Sequence, residues 1–361
     1  MSTPVIELSG RPYDQGLQHG RGLRSLVEHN VRFYTERFEK IFKISREDLL
    51  AYAKSYLPII EKESPTYLEN MRGIAEGAQV DLLGLTVLNL RYELAYYTSS
   101  NDTAEKADGC TAFVVLPEIS ENGHLMIGDN WDWLKGVRVA VLKVTQPDGF
   151  QQIIHTQAGI PGGVLGLNSA QVGLVINGMR STRDEWRAFR KPLHVRCYEI
   201  LQTRDLDSAI RVVTSGQRSG STNFIIAQAP DRVVNIEAAP DGVHSIDPKD
   251  GCLTHANHFV DAAAAGAEEV DFPLRPISCE RAERMAKFIK SKSKVSIEDL
   301  QRFQSNHVGL PYSICRHPGE GEVGNNDFGT VTSVIADLTE GALYFTDSNP
   351  CQSEYRKVDF K

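Results

Sequence analysis

The strongest constraint on the fold is a change in hydrophobic periodicity at residue 109. Before it, apolar residues of 12–97 recur at spacings of three and four, which predicts helices. After it, up to residue 178, short apolar runs alternate with turn signals such as Asn122-Gly123 and Asp148-Gly149. This pattern predicts neighbouring antiparallel strands joined by hairpins. The segment TSSNDTAEKADG, residues 98–109, has no apolar period, and we expect an exposed linker there.

The second half of the chain mixes both periodicities. Helical patterns return at 191–215 and 276–305, and strand patterns occupy 222–228, 232–239, 252–258, 330–338 and 342–347. After residue 109, the chain thus has a group of strands, then helices, and then strands again. This order predicts an α+β fold with helical layers outside the sheets. Strands from 110 onward need the preceding helices to cover one face. We therefore expect 1–109 and 110–361 to form one domain together.

Composition excludes several functional classes. Hydrophobic residues make up 41% and charged residues 24% of the 361 residues, which is typical of a globular protein. The formal charge of −8 argues against a nucleic-acid surface, which needs clustered Lys and Arg. The N-terminus lacks the apolar core of a signal peptide, and no apolar run reaches the roughly 18 residues of a membrane span. We expect a cytoplasmic protein without membrane or nucleic-acid partners.

Cysteine usage favours reduced thiols and no metal. The six Cys are widely spaced and form no CxxC pair, so a disulfide framework is not expected. Cys252, His255 and His258 invite a zinc interpretation because they stand at intervals of three. In an extended strand, however, Cys252 and His258 would share one face while His255 points away. We therefore predict no metal site.

Cys110 is the first candidate for chemistry. In the stretch KADGCTAFVV it stands at the head of a predicted buried strand, directly after Gly109 and the linker. Cleavage there would make Cys110 a new N-terminus, whose α-amine, with a pKa of roughly 7.7–8.0, can accept the thiol proton. The thiol itself can attack the unhindered Gly109 carbonyl, giving a thioester that water then hydrolyses. The alternative is a small buried core residue, because free Cys is often buried.

Asp132 and Arg316 are candidates for support of that thiol. Asp132 lies in GDNWDWL between Trp131 and Trp133, which should shield it, and its carboxylate can orient the Cys110 amine. The alternative for Asp132 is an ordinary surface turn. Arg316, in YSICRHP, can steady Asp132 or a substrate carboxylate through a bidentate contact, although such an Arg is often a surface ion pair.

Two asparagines are candidates for polar contacts with a substrate. Asn257 in THANHF and Asn177 in LVINGM both end apolar strands. A side-chain amide at such a position can donate to an oxyanion or clamp a substrate. Both residues are also compatible with simple turns.

As a set, these residues resemble a known family, the acyl-coenzyme A:6-aminopenicillanic acid (isopenicillin N) acyltransferases, which form peptidase family C45 of the N-terminal nucleophile hydrolases. The similar blocks follow the family's order along most of the chain: PYDQGLQHG, ENMRGIAEGAQVDLLGLTVLNLRYELAYY, DGCTAF, GDNWDW, GLNSAQVGLVIN, THANH and PYSICR. The resemblance implies a four-layer αββα sandwich. It also implies autoproteolysis between Gly109 and Cys110, which gives an α chain of 1–109 and a β chain of 110–361.

The resemblance also implies roles for individual residues. Cys110 matches the family nucleophile, Asp132 the aspartate of its NWD block, Asn257 its oxyanion asparagine and Arg316 the arginine of its SICR block. Asn177 matches a substrate-side asparagine of related amidases. We expect Trp131 and Trp133 to bind substrate alongside it.

We expect a self-cleaving cysteine amidohydrolase or acyltransferase that acts on a small acyl amide or thioester through a thioester acyl-enzyme. No cofactor is expected, acyl-coenzyme A is a candidate co-substrate, and the two chains should stay associated. Three alternatives remain open. They are an unprocessed ligand-binding protein of the same fold, a penicillin-type acyl-coenzyme A-dependent N-acyltransferase, and a papain-like protease in which His255 or another His pairs with Cys110.

Overall fold

The protein is described here by a computed structural model, which covers residues 2–98, 109–185, 187–271, 273–319 and 328–361. Most of the predicted linker 98–109 lies outside these described residues. The helices within them are α1 Pro12–Gly22, α2 Arg24–Lys40, α3 Arg46–Glu63, α4 Pro65–Ala78, α5 Leu82–Asn89, α6 Arg91–Thr98, α7 Leu193–Gln202, α8 Leu206–Thr214, α9 Arg275–Lys290 and α10 Ile297–Gln304.

The strands belong to two sheets. The first sheet has the order β1-β4-β5-β6-β7-β8-β9-β10 and the second has the order β11-β2-β3-β12-β13-β14. Their bounds are β1 Val5–Ser9, β2 Thr111–Val115, β3 Met126–Leu134, β4 Val139–Thr145, β5 Gln151–Gln157, β6 Leu165–Asn168, β7 Val172–Gly178, β8 Thr222–Gln228, β9 Arg232–Ala238, β10 Val243–Ile246, β11 Cys252–His255, β12 Phe328–Asp337, β13 Ala342–Thr346 and β14 Tyr355–Asp359.

The two sheets lie face to face between layers of helices. β2 and β3 contact β7 across the interface, α7 and α8 cover the outer face of the first sheet, and α9 covers the outer face of the second. Alternation along β2 explains this layering: Ala112 and Val114 join the core between the sheets, while Phe113 and Val115 join a second core under α9 and α10. The predicted α+β class and the αββα sandwich are confirmed.

The strand prediction was incomplete in three respects. The strands predicted between 110 and 178 are not all neighbours, because β2 and β3 belong to the second sheet and β4 to β7 to the first. The strand predicted at 252–258 ends at His255. Three strands with mixed burial, β1, β10 and β14, were not predicted. Both predicted hairpins are confirmed, since β2 pairs antiparallel with β3 and β4 with β5.

The N-terminal helices pack closely on one another. A Cβ atom on any of four glycines would lie 2.0 to 2.4 Å from a backbone oxygen of the opposite helix, so α1 and α4 approach to a distance that only glycine permits. These glycines are Gly16 and Gly20 in α1 and Gly73 and Gly77 in α4. N-caps define other ends: Ser45 accepts a hydrogen bond from the Asp48 backbone at 3.1 Å, and Asp81 accepts one from Gly84 at 3.0 Å.

The helical segment contacts the sheets through buried polar groups. The Asn30 side chain of α2 bonds the backbone of Arg138 and Ala158 at 2.8 to 2.9 Å. Trp133 donates from its indole nitrogen to the Tyr34 hydroxyl at 2.6 Å. One continuous hydrophobic core includes residues of both segments. No helix within the described residues is long and apolar enough to cross a membrane.

Candidate active site

Cys110 lies immediately before β2, with its side chain in the core between the sheets. The residue is only 7% exposed, and its thiol donates to the backbone oxygen of Asp132 at an Sγ–O distance of 3.7 Å. Burial raises the pKa of the Cys110 thiol well above its usual range, and the nearby Asp129 and Asp132 raise it further. The thiol is therefore protonated at neutral pH, and a base is needed before it can attack.

Asp132 contacts the peptide unit that precedes Cys110. Its Oδ1 accepts a hydrogen bond from the Thr330 hydroxyl at 2.7 Å, while its Oδ2 has no hydrogen-bond partner among the described residues. A Cβ atom on Gly109 would lie 2.5 Å from Oδ2, so only glycine fits beside the carboxyl group. Burial raises the pKa of Asp132 to about 7, against the opposing charges of Arg281 and Arg316.

Arg281 on α9 is the charged group that reaches the carbonyl of Gly109. Its Nη1 donates a hydrogen bond to the Gly109 oxygen, and its Nη2 donates to Asn257 Oδ1 at 3.1 Å. Asn257 in turn donates from Nδ2 to the oxygen of Gly178 at 3.1 Å. In the uncleaved chain, Arg281 thus contacts the carbonyl oxygen where negative charge would develop if Cys110 attacked. Asn257 is one contact further away.

Sequence reasoning missed Arg281, although a signal was present. The buried face of α9 includes Ser278, Ala282, Met285 and Ile289, at spacings of three and four. Arg281 belongs to this buried face and is only 2% exposed. A charged residue on the apolar face of an amphipathic helix is costly unless it has a specific partner. That pattern was the available indication of a functional cation.

Arg316 reaches Asp132 through its backbone. Its N–H donates to the Thr330 hydroxyl at 2.9 Å, and that hydroxyl donates to Asp132. The Arg316 guanidinium lies 4.4 Å from the centre of the Phe328 ring and 5.0 Å from that of Tyr312. Its positive charge also lowers the pKa of Asp132, so it favours the carboxylate form.

Asn177 on β7 contacts a second carboxyl group that the sequence analysis did not select. Its Nδ2 donates to Asp129 Oδ1 at 3.4 Å, and Asn223 donates to Asn177 Oδ1 at 3.3 Å. Asp129 pairs with Ala112 on β2 and is fully buried, and burial raises its pKa well above the usual range. Alternation along GDNWDW was the missed signal, because it puts Asp129 on the same face as Trp131.

A small cavity lies beside Cys110. Its lining includes Cys110, Asp132, Trp131, Trp133 and Arg91, and its volume of about 20 Å³ is enough for one water molecule. The rest of the cavity wall is formed by Tyr92, Val164, Ile176, Gly178 and Asn257. Both tryptophans are buried here, near the predicted nucleophile.

Arg91 is a buried cation in this cavity wall. Its guanidinium lies 4.7 Å from the centre of the Trp133 ring and 5.8 Å from that of Trp131. Its Nε and Nη1 have no hydrogen-bond partner within the described part of the chain. The aromatic faces compensate some of the cost of burying the charge. Two buried donors nevertheless remain for a ligand.

The histidines of THANH do not pair with Cys110. His255 Nε2 contacts Glu237 Oε1 at 2.9 Å, and its Nδ1 contacts the oxygen of Ala256 at 2.8 Å. The papain-like alternative therefore lacks its His255 partner. Our prediction that His255 and His258 point to opposite faces was wrong: the rings stack with centroids 5.7 Å apart, because the strand ends at His255 and alternation does not continue.

Comparison with known proteins assigns the family. Residues 119–352 match the family model described as acyl-coenzyme A:6-aminopenicillanic acid acyl-transferase, which is well over half of the chain. The chain belongs to this acyltransferase family. As a member it is an enzyme of the acyl-transferring or amide-hydrolysing type, as the resemblance implied. The matched range contains Asp132, Asn177, Asn257 and Arg316 and begins after Cys110.

Individual relatives are distant. The chain is 26% identical over 321 residues to the 40 kDa form of acyl-coenzyme A:6-aminopenicillanic-acid-acyltransferase from Emericella nidulans, which covers 88% of this chain and 85% of that protein. It is 22% identical over 298 residues to an uncharacterized protein of Archaeoglobus fulgidus, covering 71% of this chain and 50% of that protein.

Solved structures similar to this acyltransferase family member include two hydrolases. One is an N-acylethanolamine-hydrolyzing acid amidase ortholog from Caenorhabditis elegans, with a TM-score of 0.47 and 14% identity over 70% of this chain and 100% of that chain. The other is a mutant conjugated bile acid hydrolase from Clostridium perfringens, with a TM-score of 0.46 and 9% identity over 70% of this chain and 92% of that chain.

Proposed function

We propose that this protein cleaves its own Gly109-Cys110 bond and then uses Cys110 as an N-terminal nucleophile on a small acyl amide or thioester. One observation carries the proposal. The carbonyl oxygen of Gly109 accepts a hydrogen bond from the buried guanidinium of Arg281, directly before a buried thiol. A preorganised, buried donor on this carbonyl can stabilise the oxyanion of a tetrahedral intermediate.

Self-cleavage begins when the Cys110 sulfur attacks the carbonyl carbon of Gly109. Asp132 Oδ2, the unpartnered oxygen beside Gly109, accepts the thiol proton, and Arg281 stabilises the oxyanion. The bond between the Gly109 carbon and the Cys110 nitrogen then breaks. The nitrogen takes up the proton as an amine, and Gly109 remains on the sulfur as a thioester. Water hydrolyses this thioester, releasing residues 1–109 with a terminal carboxylate and regenerating the thiol.

Turnover reuses the same sulfur with a new base. The freed α-amine of Cys110 accepts the thiol proton while the sulfur attacks the acyl carbonyl of the substrate. The leaving amine or thiol departs with that proton, and a thioester acyl-enzyme remains. Water then completes hydrolysis, or an acceptor amine completes acyl transfer. In this scheme Arg281 and Asn257 are the polar groups closest to the oxyanion, and Asp132 holds the α-amine.

The substrate that fits the site best carries an anionic group. The two free donors of Arg91 lie in the wall of the Cys110 cavity, and a carboxylate of the substrate would satisfy both. Trp131 and Trp133 would flank its apolar part. Small-molecule pockets usually measure roughly 300–1,000 Å³, whereas this cavity of about 20 Å³ holds a single water. The cavity must therefore enlarge before a substrate can bind. In this proposal, it enlarges when self-cleavage releases the chain end at Gly109.

A gel and a mass measurement test the proposal directly. Purified wild-type protein should separate under denaturing conditions into chains of 1–109 and 110–361, and sequencing of the larger chain should begin CTAFVV. Cys110→Ala should remain one full-length chain and hydrolyse no acyl amide, whereas Cys110→Ser should cleave slowly, because a hydroxyl is a poorer nucleophile. Wild-type protein that stays full length yet turns over acyl amides would disprove it. An intact chain that binds such ligands without turnover would support the binding-protein alternative.

A further inference from the structure

Four side chains of the types that can ligate a metal converge near the segment that carries Arg316. The ligand atoms of His307, Cys315, His317 and Cys351 all lie within 4.8 Å of one another. We call these four residues the Cys2His2 cluster. His307 follows α10, Cys315 and His317 belong to the irregular segment after it, and Cys351 lies in the loop between β13 and β14. The cluster thus joins two parts of the chain that are far apart in sequence.

Four of the six distances between ligand atoms in the Cys2His2 cluster match one tetrahedral ion. The two Sγ atoms are 3.6 Å apart, and the two Nε2 atoms are 3.2 Å apart. His317 Nε2 lies 3.6 Å from Cys315 Sγ and 3.3 Å from Cys351 Sγ. Tetrahedral zinc, with Zn–S near 2.3 Å and Zn–N near 2.0–2.1 Å, requires about 3.8 Å between sulfurs, about 3.4 Å between nitrogens and about 3.5 Å for mixed pairs. These four distances each agree within about 0.3 Å, and the two remaining ones, from His307 to the two sulfurs, are at most 4.8 Å.

A disulfide accounts for the cluster less well. A covalent S–S bond is about 2.05 Å long, whereas Cys315 and Cys351 are both free thiols with sulfurs 3.6 Å apart. With a disulfide, the contact between the two Nε2 atoms would require one ring to carry its proton on Nε2 and the other to be unprotonated there. Zinc with two thiolates and two neutral imidazoles carries no net charge, which suits the burial of Cys315.

A neighbouring amide supports thiolate ligation. Asn349 Nδ2 donates to Cys315 Sγ at 3.7 Å and to the backbone oxygen of Arg316 at 2.7 Å. Lys135 orients this amide by donating to its Oδ1 at 2.5 Å. Hydrogen bonds from the surroundings to a ligating sulfur are a recurrent feature of protein metal sites, because they fix the ligand and stabilise its negative charge.

We propose that the Cys2His2 cluster binds one zinc ion that stabilises the segment carrying Arg316. All four coordination positions are filled by protein, which is the pattern of structural rather than catalytic zinc. Cys315 and His317 flank Arg316, whose backbone N–H bonds Thr330 at 2.9 Å, and Thr330 bonds Asp132 at 2.7 Å. The ion would therefore help to position Asp132 from outside the cavity.

Elemental analysis of the full-length protein tests this site independently of catalysis. Protein dialysed against Zn²⁺ and then against metal-free buffer should retain about one zinc per chain. Replacement by Co²⁺ should give the intense visible bands of a tetrahedral ion together with thiolate charge transfer. Retention below about one fifth of an ion per chain, or a Cys315–Cys351 disulfide in the zinc-treated protein, would overturn the proposal.

Variants at the exposed ligands locate the ion. Cys351→Ser and His307→Ala should each reduce zinc retention at least tenfold while the circular dichroism spectrum is preserved, since both side chains lie at the surface. Cys279→Ser is the matched control, because this partly exposed thiol belongs to α9 outside the cluster, and it should keep one zinc. Full zinc retention by both ligand variants would contradict the assignment. The readout does not require self-cleavage, so it is separate from the proposed function.

Discussion

Arg281 donates a hydrogen bond from its guanidinium to the carbonyl oxygen of Gly109 across 172 residues of sequence. The same guanidinium donates to Asn257 at 3.1 Å, so one polar side chain contacts the proposed scissile peptide and a second one holds the first. In the proposed mechanism, this contact would stabilise the oxyanion that forms on Gly109.

Arg281→Met should slow self-cleavage by about 10²–10³-fold, the usual loss when an oxyanion donor is removed. The measurement is the rate at which chain 110–361 appears on a denaturing gel after purification of the uncleaved protein. Arg284→Met is the matched control, because Arg284 lies on the same helix and donates to Val308 at the surface. It should process within about twofold of wild type. Equal rates for both variants would contradict the role of Arg281.

Gly109→Ala should prevent self-cleavage by steric conflict. Its new Cβ would lie 2.5 Å from Asp132 Oδ2, so the scissile peptide or the carboxyl group must move. Intact mass should show a full-length chain after conditions that process the wild type completely. Gly22→Ala is the control, because a Cβ there meets only Ile6 at 3.9 Å. Normal processing by Gly109→Ala would show that the close packing is not required.

Self-cleavage should depend on pH through Asp132. Its pKa is raised to about 7 by burial, so below that pH the carboxyl is protonated and cannot accept the thiol proton. The rate should fall about tenfold per unit below roughly pH 6 and level off above neutrality. Single-turnover processing measured from pH 5 to 8 provides the profile. Asp132→Asn should be slow throughout and lose this dependence, whereas a flat wild-type profile would exclude Asp132 as the base.

Local patterns in the sequence predicted the elements that carry the thiol, but not the partners that complete the site. The start of β2 after Gly109 and the α+β class follow from periodicity, which acts over a few residues. The position of Arg281 beside Gly109 depends on how α9 packs on β2 and β11, a relationship between distant segments. Alternation within one strand can indicate Asp129, but only the face-to-face packing of the two sheets brings it opposite Asn177 on β7.

The same dependence on contacts between distant segments explains why the sequence did not predict the Cys2His2 cluster. Its ligands come from two segments separated by the strands β12 and β13, and they form neither the CxxC nor the HxxxH spacing by which zinc sites are recognised in sequence. Cys252, His255 and His258 are close in sequence yet serve other contacts: Cys252 joins the core under α9, and the two imidazoles bond Glu237 and Ser278. Proximity along the chain was a poor guide to ligation here.

Arg91 should determine preference for anionic substrates. Wild-type protein is expected to hydrolyse an acyl amide that bears a carboxylate about 10–100-fold more efficiently than its neutral isostere, because the two free donors gain a partner. Arg91→Met should remove this preference mainly through KM, while self-cleavage proceeds normally. Paired kcat/KM values for both substrates provide the measurement. An unchanged preference in the variant would place substrate recognition elsewhere.

The two chains produced by cleavage should remain one folded unit, and Asn30 provides the test. Its buried side chain bonds the backbone of Arg138 and Ala158, so Asn30→Ala leaves partners in the 110–361 segment unsatisfied. We expect a loss of about 2–4 kcal/mol in the free energy of unfolding, against less than about 0.5 kcal/mol for the exposed Arg32→Ala on the same helix. Urea unfolding of the cleaved protein should show a single transition. Isolated 1–109 should lack a cooperative transition, because its helices need the strands of 110–361 to cover their apolar side chains and to pair buried polar groups such as Asn30. A stably folded 1–109 fragment would contradict the one-domain interpretation.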